Sequence, residues 1–304
     1  MLKGLLYEVR KINLWKYIIA LVVLVIVGNI GISLLYHQDE FSHKAAMEAE
    51  KNNYQEAYDS IGNNDELGVA RICEQEIAII NYSIQHHIPY KRLTVLGNLA
   101  MNKYLINLVV LILAICSYDL VAVENENNTW KNIIVATHNN IKQIFVRKKI
   151  VEWIVILEGL CIFLFLAIMF GVVRYSDWTN VTVTYLNGQI ITGSYNQQIV
   201  SMIIKTFVKG LVYADLSFLL ACRFKKSRIV LIFVIILIFF DDTIVKLLQD
   251  LSFERFFPFK HLFILENIYD YKLIDICVAI TYFISMILAF SFFSYQAIKK
   301  VTVS

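Results

Sequence analysis

The sequence predicts an all-α integral membrane protein with six transmembrane helices and both termini on the cytoplasmic side. Hydrophobic residues fill 58% of the 304 positions, charged residues only 17%, and mean hydropathy is +0.59. Soluble domains do not tolerate that balance. Six stretches, 14–36, 104–123, 150–173, 200–222, 229–247 and 274–293, approach the roughly 20 residues that a helix needs to cross a bilayer core. Backbone groups in hydrocarbon must pair within their own segment, so these stretches are expected to be helices. Finally, Lys and Arg concentrate in alternate connecting segments, which orients the chain.

Residues 1–16 mix basic positions with Leu2, Leu5, Leu6, Val9 and Ile12 on one helical face, the pattern of a helix lying in the inner interface. The first span is too long for a removable signal peptide and lacks a small-residue cleavage site. The segments 1–16, 124–149, 223–228 and 294–304 hold Lys3, Arg10, Lys11 and Lys16, then Lys131, Lys142, Arg147, Lys148 and Lys149, then Arg223, Lys225, Lys226 and Arg228, then Lys299 and Lys300. These are assigned to the cytoplasm. Segment 37–103, with ten acids against six bases, faces outside. Trp15 and Trp153 stand at span entries, where interfacial aromatics gather. The formal charge of +3 reflects this topology, and no nucleic-acid affinity is read from it.

Within 37–103, helical periodicity over 48–61 and 68–88 flanks the turn-rich Ile61-Gly62-Asn63-Asn64-Asp65. The expectation is an extracellular excursion of two helices ending near His86-His87-Ile88-Pro89. Adjacent helical residues point about 100° apart, so the two histidines are read as surface residues and not as metal ligands. The segment 248–271, part of an aromatic stretch from Asp241 to Tyr271, clusters Phe253, Phe256, Phe257, Phe259 and Phe263 around Pro258. Because proline interrupts a helix, short helices dipping into the outer interface are expected there. The five cysteines show no zinc or redox spacing and are read as packing residues.

The strip 124–149 carries the functional reading. Glu124 and Glu126 precede Thr129, which can cap a helix whose start favours negative charge. Trp130, Ile133, Ile134, Thr137, Ile141, Ile144 and Phe145 follow at helical spacing, and Arg147-Lys148-Lys149 ends the strip. An apolar helix face at the cytoplasmic surface must bury itself against lipid or a partner. Charges inside spans are costly and often functional. Glu158, Lys205, Lys209 and Asp215 are therefore candidate pathway residues, with Lys205 and Lys209 expected to snorkel outward.

In Glu124, Glu126, Thr129, Trp130, Lys131 and the cluster Arg147-Lys148-Lys149, together with the six-span plan, the chain resembles the ABC-2 type permeases, the membrane subunits of ATP-driven exporters. Asn128 departs from the family's usual Gly, and His138-Asn139-Asn140 stands where a Pro is common. The resemblance implies a single transmembrane domain over 1–304 and a cytoplasmic coupling helix. Its ATPase contacts would be Glu124, Glu126, Thr129, Trp130, Ile133 and Ile134. It further implies partner ATPase subunits that bind ATP and Mg, a second permease copy or related permease, and the bacterial plasma membrane.

No G-x-x-x-x-G-K-[ST] phosphate loop occurs and the eleven glycines are scattered, so any ATPase is expected in another chain. No H-E-x-x-H occurs either, and no catalytic residue or metal ligand is assigned. A bias to Lys, Asn and Ile fits an AT-rich bacterial genome, and the size resembles permeases exporting peptides, antibiotics or other amphipathic compounds. The alternative is a non-transporting membrane sensor or assembly protein that binds a ligand through its outer helices.

Overall fold

The computed structural model describes residues 14–35, 43–61, 69–88, 94–126, 129, 133, 140–175, 177–186, 189–224, 231–240, 258–266 and 271–303. The interfacial helix expected over 1–16 lies almost wholly outside them, and Trp130, Ile134 and 241–257 lie wholly outside them. In chain order the elements are α1 (Leu14–Leu35), α2 (His43–Ile61), α3 (Val69–Gln85), α4 (Val95–Met101), a 3-10 turn (Asn102–Leu105), α5 (Ile106–Glu126), α6 (Ile141–Arg174), β1 (Val181–Leu186), β2 (Gln189–Ser194) and α7 (Tyr195–Arg223). The short apolar α8 (Leu231–Phe240) follows, then α9 (Pro258–Glu266) and α10 (Leu273–Val303).

Four described stretches are long and apolar enough to cross a membrane: Leu14–Leu34, Val95–Glu124, Ile141–Arg174 and Leu273–Lys300. The chain is thus a membrane-embedded, largely helical protein. The fourth and fifth predicted spans are not in this set. Helix α7 has the length, at 29 residues, but Lys205, Lys209 and Asp215 interrupt it, and α8 is short.

One unit comprises residues 1–28, 102–167 and 200–304. In it α5 and α6 run antiparallel. Glu124 meets Lys148 near one end, while Leu113 lies against Gly159, where an added Cβ would come within 2.7 Å of Leu113 Cδ2. Small residues let membrane helices approach this closely. Lys16 at the start of α1 pairs with Asp119 of α5 at 2.8 Å, and Tyr17 donates to the same carboxylate. Tyr213 of α7 donates to the Leu237 carbonyl of α8 at 3.1 Å. Val212 of α7, Leu262 and Leu265 of α9, and Ala279 and Phe283 of α10 form one apolar core. Pro258 opens α9, the helix position where its fixed φ and missing N–H cost least, and His261 stacks on Tyr282 at 4.4 Å between centroids.

The second unit comprises residues 29–101 and 168–199. Helix α2 packs on α3 through Met47, Tyr54, Ile80 and Ile84. Tyr58 donates to Glu74 Oε1 at 2.9 Å, and that bond with the carboxylate's charge holds the phenol above its ordinary pKa. Helix α3 ends in a Schellman turn, in which Ile88 N donates to Ser83 O at 2.9 Å and His87 adopts a φ of 55°. Thr94 caps α4 by accepting from Gly97 N at 2.9 Å.

An antiparallel hairpin, with Val181 opposite Ser194 and Leu186 opposite Gln189, packs against α3. It is a small two-stranded addition to an otherwise helical set of described elements. Residues 181–186 and 189–194 are rich in Val, Ile, Thr and Tyr, and the intervening Asn187-Gly188 is the dipeptide that two-residue hairpins favour.

These contacts predict two effects. Gly159→Leu drives a side chain into Leu113 and should lower stability by about 1–3 kcal/mol; an unchanged thermal midpoint in detergent would refute the close α5–α6 approach. His87→Gly should leave that midpoint equal or higher, and His87→Ile should lower it, because a β-branched residue resists positive φ.

Candidate functional site

Helix α6 begins at Ile141, well before the predicted span, because Asn140 caps it by accepting from Gln143 N at 3.0 Å. The basic cluster that ends the polar strip in sequence therefore lies inside a helix rather than ahead of one. Lys148 and Lys149 are successive residues on α6, so they project about 100° apart and reach different neighbours.

Lys148 turns toward α5. Its Nζ donates to Glu124 Oε1 at 2.7 Å and to the Leu120 carbonyl at 2.7 Å. Neither side chain of the Lys148–Glu124 pair has any solvent exposure. Lys149 turns toward α7. It donates to Glu152 Oε2 at 2.6 Å, one turn along α6, and to Asp215 Oδ1 of α7. Its ammonium also lies 4.3 Å from the centroid of the Phe218 ring, a cation–π placement. Phe145 adds an edge contact to Phe218 at 6.3 Å and another to Tyr295 of α10 at 5.5 Å. Glu152 Oε1 and Asp215 Oδ2 are buried and accept no hydrogen bond among the described residues. Two carboxylates thus share one ammonium, which makes Lys149 the charge that both acids depend on.

Charges removed from water are costly unless paired. This arrangement meets that demand by joining α5 to α6 and α6 to α7. The helices on either side of the strip are tied together directly, because Glu124 near the end of α5 pairs with Lys148, two turns into α6. Between them, Ile133 N donates to Thr129 O at 3.1 Å and Thr129 N to Glu124 O at 3.1 Å.

The sequence candidates fall in three places. Glu124 lies inside the ionic junction rather than on a surface; Thr129 and Ile133 follow it in the strip. Glu126 closes α5, but its side chain, like Trp130 and Ile134, lies outside the described residues. Asp215 belongs to the junction with Lys149, and Glu158 is exposed further along α6. Lys205 and Lys209 do not snorkel. They are 8% and 0% exposed, and Lys209 donates to Asn107 Oδ1 at 2.6 Å. Ile144, expected on a surface-seeking face, is buried, and Phe145 packs between α7 and α10.

Sequence reasoning missed Glu152 as a site residue and took Lys148 and Lys149 only as topology signals. A basic pair followed three residues later by an acid, inside an apolar run, was the available sign of a buried i,i+3 pair.

Breaking one member of a fully buried pair should be severe, and replacing both should not. Lys148→Met alone is expected to lower stability by about 3–5 kcal/mol, and Lys148→Met with Glu124→Leu to recover most of that loss. Denaturant unfolding in micelles reads both, and a double variant no better than the single one would contradict a paired junction.

No family model matches the chain, and neither the curated proteins nor the solved structures hold a significant match.

Proposed function

We propose that the chain is the membrane-spanning permease subunit of an ATP-driven exporter of ABC-2 type, whose ATPase is a separate chain. The observation that carries this reading is the ionic junction at the base of the 125–139 strip. A partner pressing on that strip acts on Glu124 and Lys148 together. Lys149, the next residue of α6, holds Asp215 of α7. Force applied at a surface segment therefore has a charged, buried route into three helices. Rigid elements with two discrete arrangements can pass such a bias onward.

In this mechanism ATP and Mg belong to the partner. Closure of the ATPase pair pushes the strip from Thr129 onward, with Glu126, Trp130, Ile133 and Ile134 as the contact residues. Glu124, held by Lys148, anchors the start of that strip. The permease works as a pair, with a second copy or a related chain, in a bacterial plasma membrane. Six spans with both termini inside fit the reading, with α7 and the α8 segment as the fourth and fifth. Lys205 and Lys209 stay buried in α7 as structural or pathway charges.

A mild-detergent purification of the chain, expressed with its native gene neighbours, tests the proposal. A phosphate-loop ATPase at about one per permease is expected, and Trp130→Ala should abolish stimulation of that ATPase while membrane insertion persists. A chain that purifies without any ATPase would instead favour the sensor or assembly reading, in which the outer helices bind a ligand.

A further inference from the structure

We infer that the groove between α1, α5 and α6 binds an amphiphilic monocation, with the Glu158 carboxylate as its counter-charge. The groove is an open cleft, with about 310 Å³ between and in front of its walls. Its walls are Ile18 and Leu21 of α1, Leu113 and Cys116 of α5, and Ile162 of α6, with Glu158 set among them.

Four observations select this occupant. Glu158 stands nine residues beyond Lys149, about 14 Å along the helix, so it sits well inside an apolar span. A carboxylate at such a depth is expensive without a partner. Among the described residues nothing hydrogen-bonds or ion-pairs with it, although its side chain is exposed. The nearby bases are already engaged, Lys16 with Asp119 and Lys149 with Glu152 and Asp215. Among the described residues no base is left to pair with it.

The chemistry of that cation follows from the walls. A divalent metal ion needs several oxygen ligands, whereas the groove supplies one carboxylate in an apolar setting. A base from a second copy is disfavoured, because the exposed residues flanking the groove are apolar: Ile19, Val23 and Ile26 on α1, Ile154 and Leu157 on α6. One positive charge on an apolar body matches both features. As a binding site this inference stands alone; as the class of compound moved, it rests on the exporter reading.

Tetraphenylphosphonium and tetraphenylborate, nearly identical in size and opposite in charge, are the probes. Equilibrium dialysis against the purified full chain in phosphatidylcholine nanodiscs, with empty nanodiscs as the blank, reads binding without any ATPase present. Tetraphenylphosphonium should bind at one per chain and tetraphenylborate should not exceed the blank. Glu158→Gln should weaken the cation by at least about 10-fold, the loss of one close charge contact, and Glu158→Asp should largely keep it. Ile162→Trp, which fills the groove and leaves the carboxylate, should also weaken it. Equal binding of both ions, or unchanged cation binding in Glu158→Gln, overturns the site. So does a Glu158→Gln variant that only changes the oligomeric mass, which would assign Glu158 to a contact between copies. None of these outcomes bears on whether an ATPase co-purifies, so the site and the exporter reading fail separately.

Discussion

Two lysines adjacent in the chain hold three helices at one place, and the rest of the larger unit is built around that constraint. In an apolar surround each buried ammonium needs an acid within reach, and each acid needs the ammonium in return. Lys148 and Lys149 satisfy this in two directions, because successive helical residues diverge. One fixes the end of α5 and the other fixes α7. The aromatic contacts of Phe145 with Phe218 and Tyr295 then bring α10 to the same region.

The remaining buried polar groups follow the same logic at lower cost. Lys209 is solvated by Asn107 and by the Ile238 carbonyl. In the second unit Asn98 donates to Asn29 Oδ1 at 3.0 Å, with both residues fully buried. Such pairs add direction to helix packing where apolar contact alone is indifferent to register, since lipid competes for apolar surface. Glu158 departs from this pattern, which is why it points to a ligand rather than to packing.

Much of the fold was legible because hydrocarbon imposes length and composition on α1, α5, α6 and α10. The polar elements were less so. The hairpin showed alternating β-branched residues around Asn187-Gly188, yet a reading dominated by apolar runs treats such a segment as loop. The cap at Asn140 extends α6 by nine residues relative to the apolar run beginning at 150, and that extension moves Lys148 and Lys149 from the helix approach to its interior. The Glu124–Lys148 pair spans 24 positions, a separation that no helical period encodes. Sequence could name Asp215 as a costly charge and Glu124 as an acid of the polar strip, but their partners depend on how α5, α6 and α7 pack.

The claim that this junction carries motion from the strip into the bundle has a direct test. Spin labels at Arg223 and Lys300, both exposed at helix ends, report the spacing of α7 and α10 in the complex proposed with an ATPase. Trapping the partner ATPase in its closed state should change that distance in the native junction. The change should vanish when Lys149, Glu152 and Asp215 are replaced together by Met, Leu and Leu, although ATP hydrolysis continues. An equal change without those three charges would contradict the account.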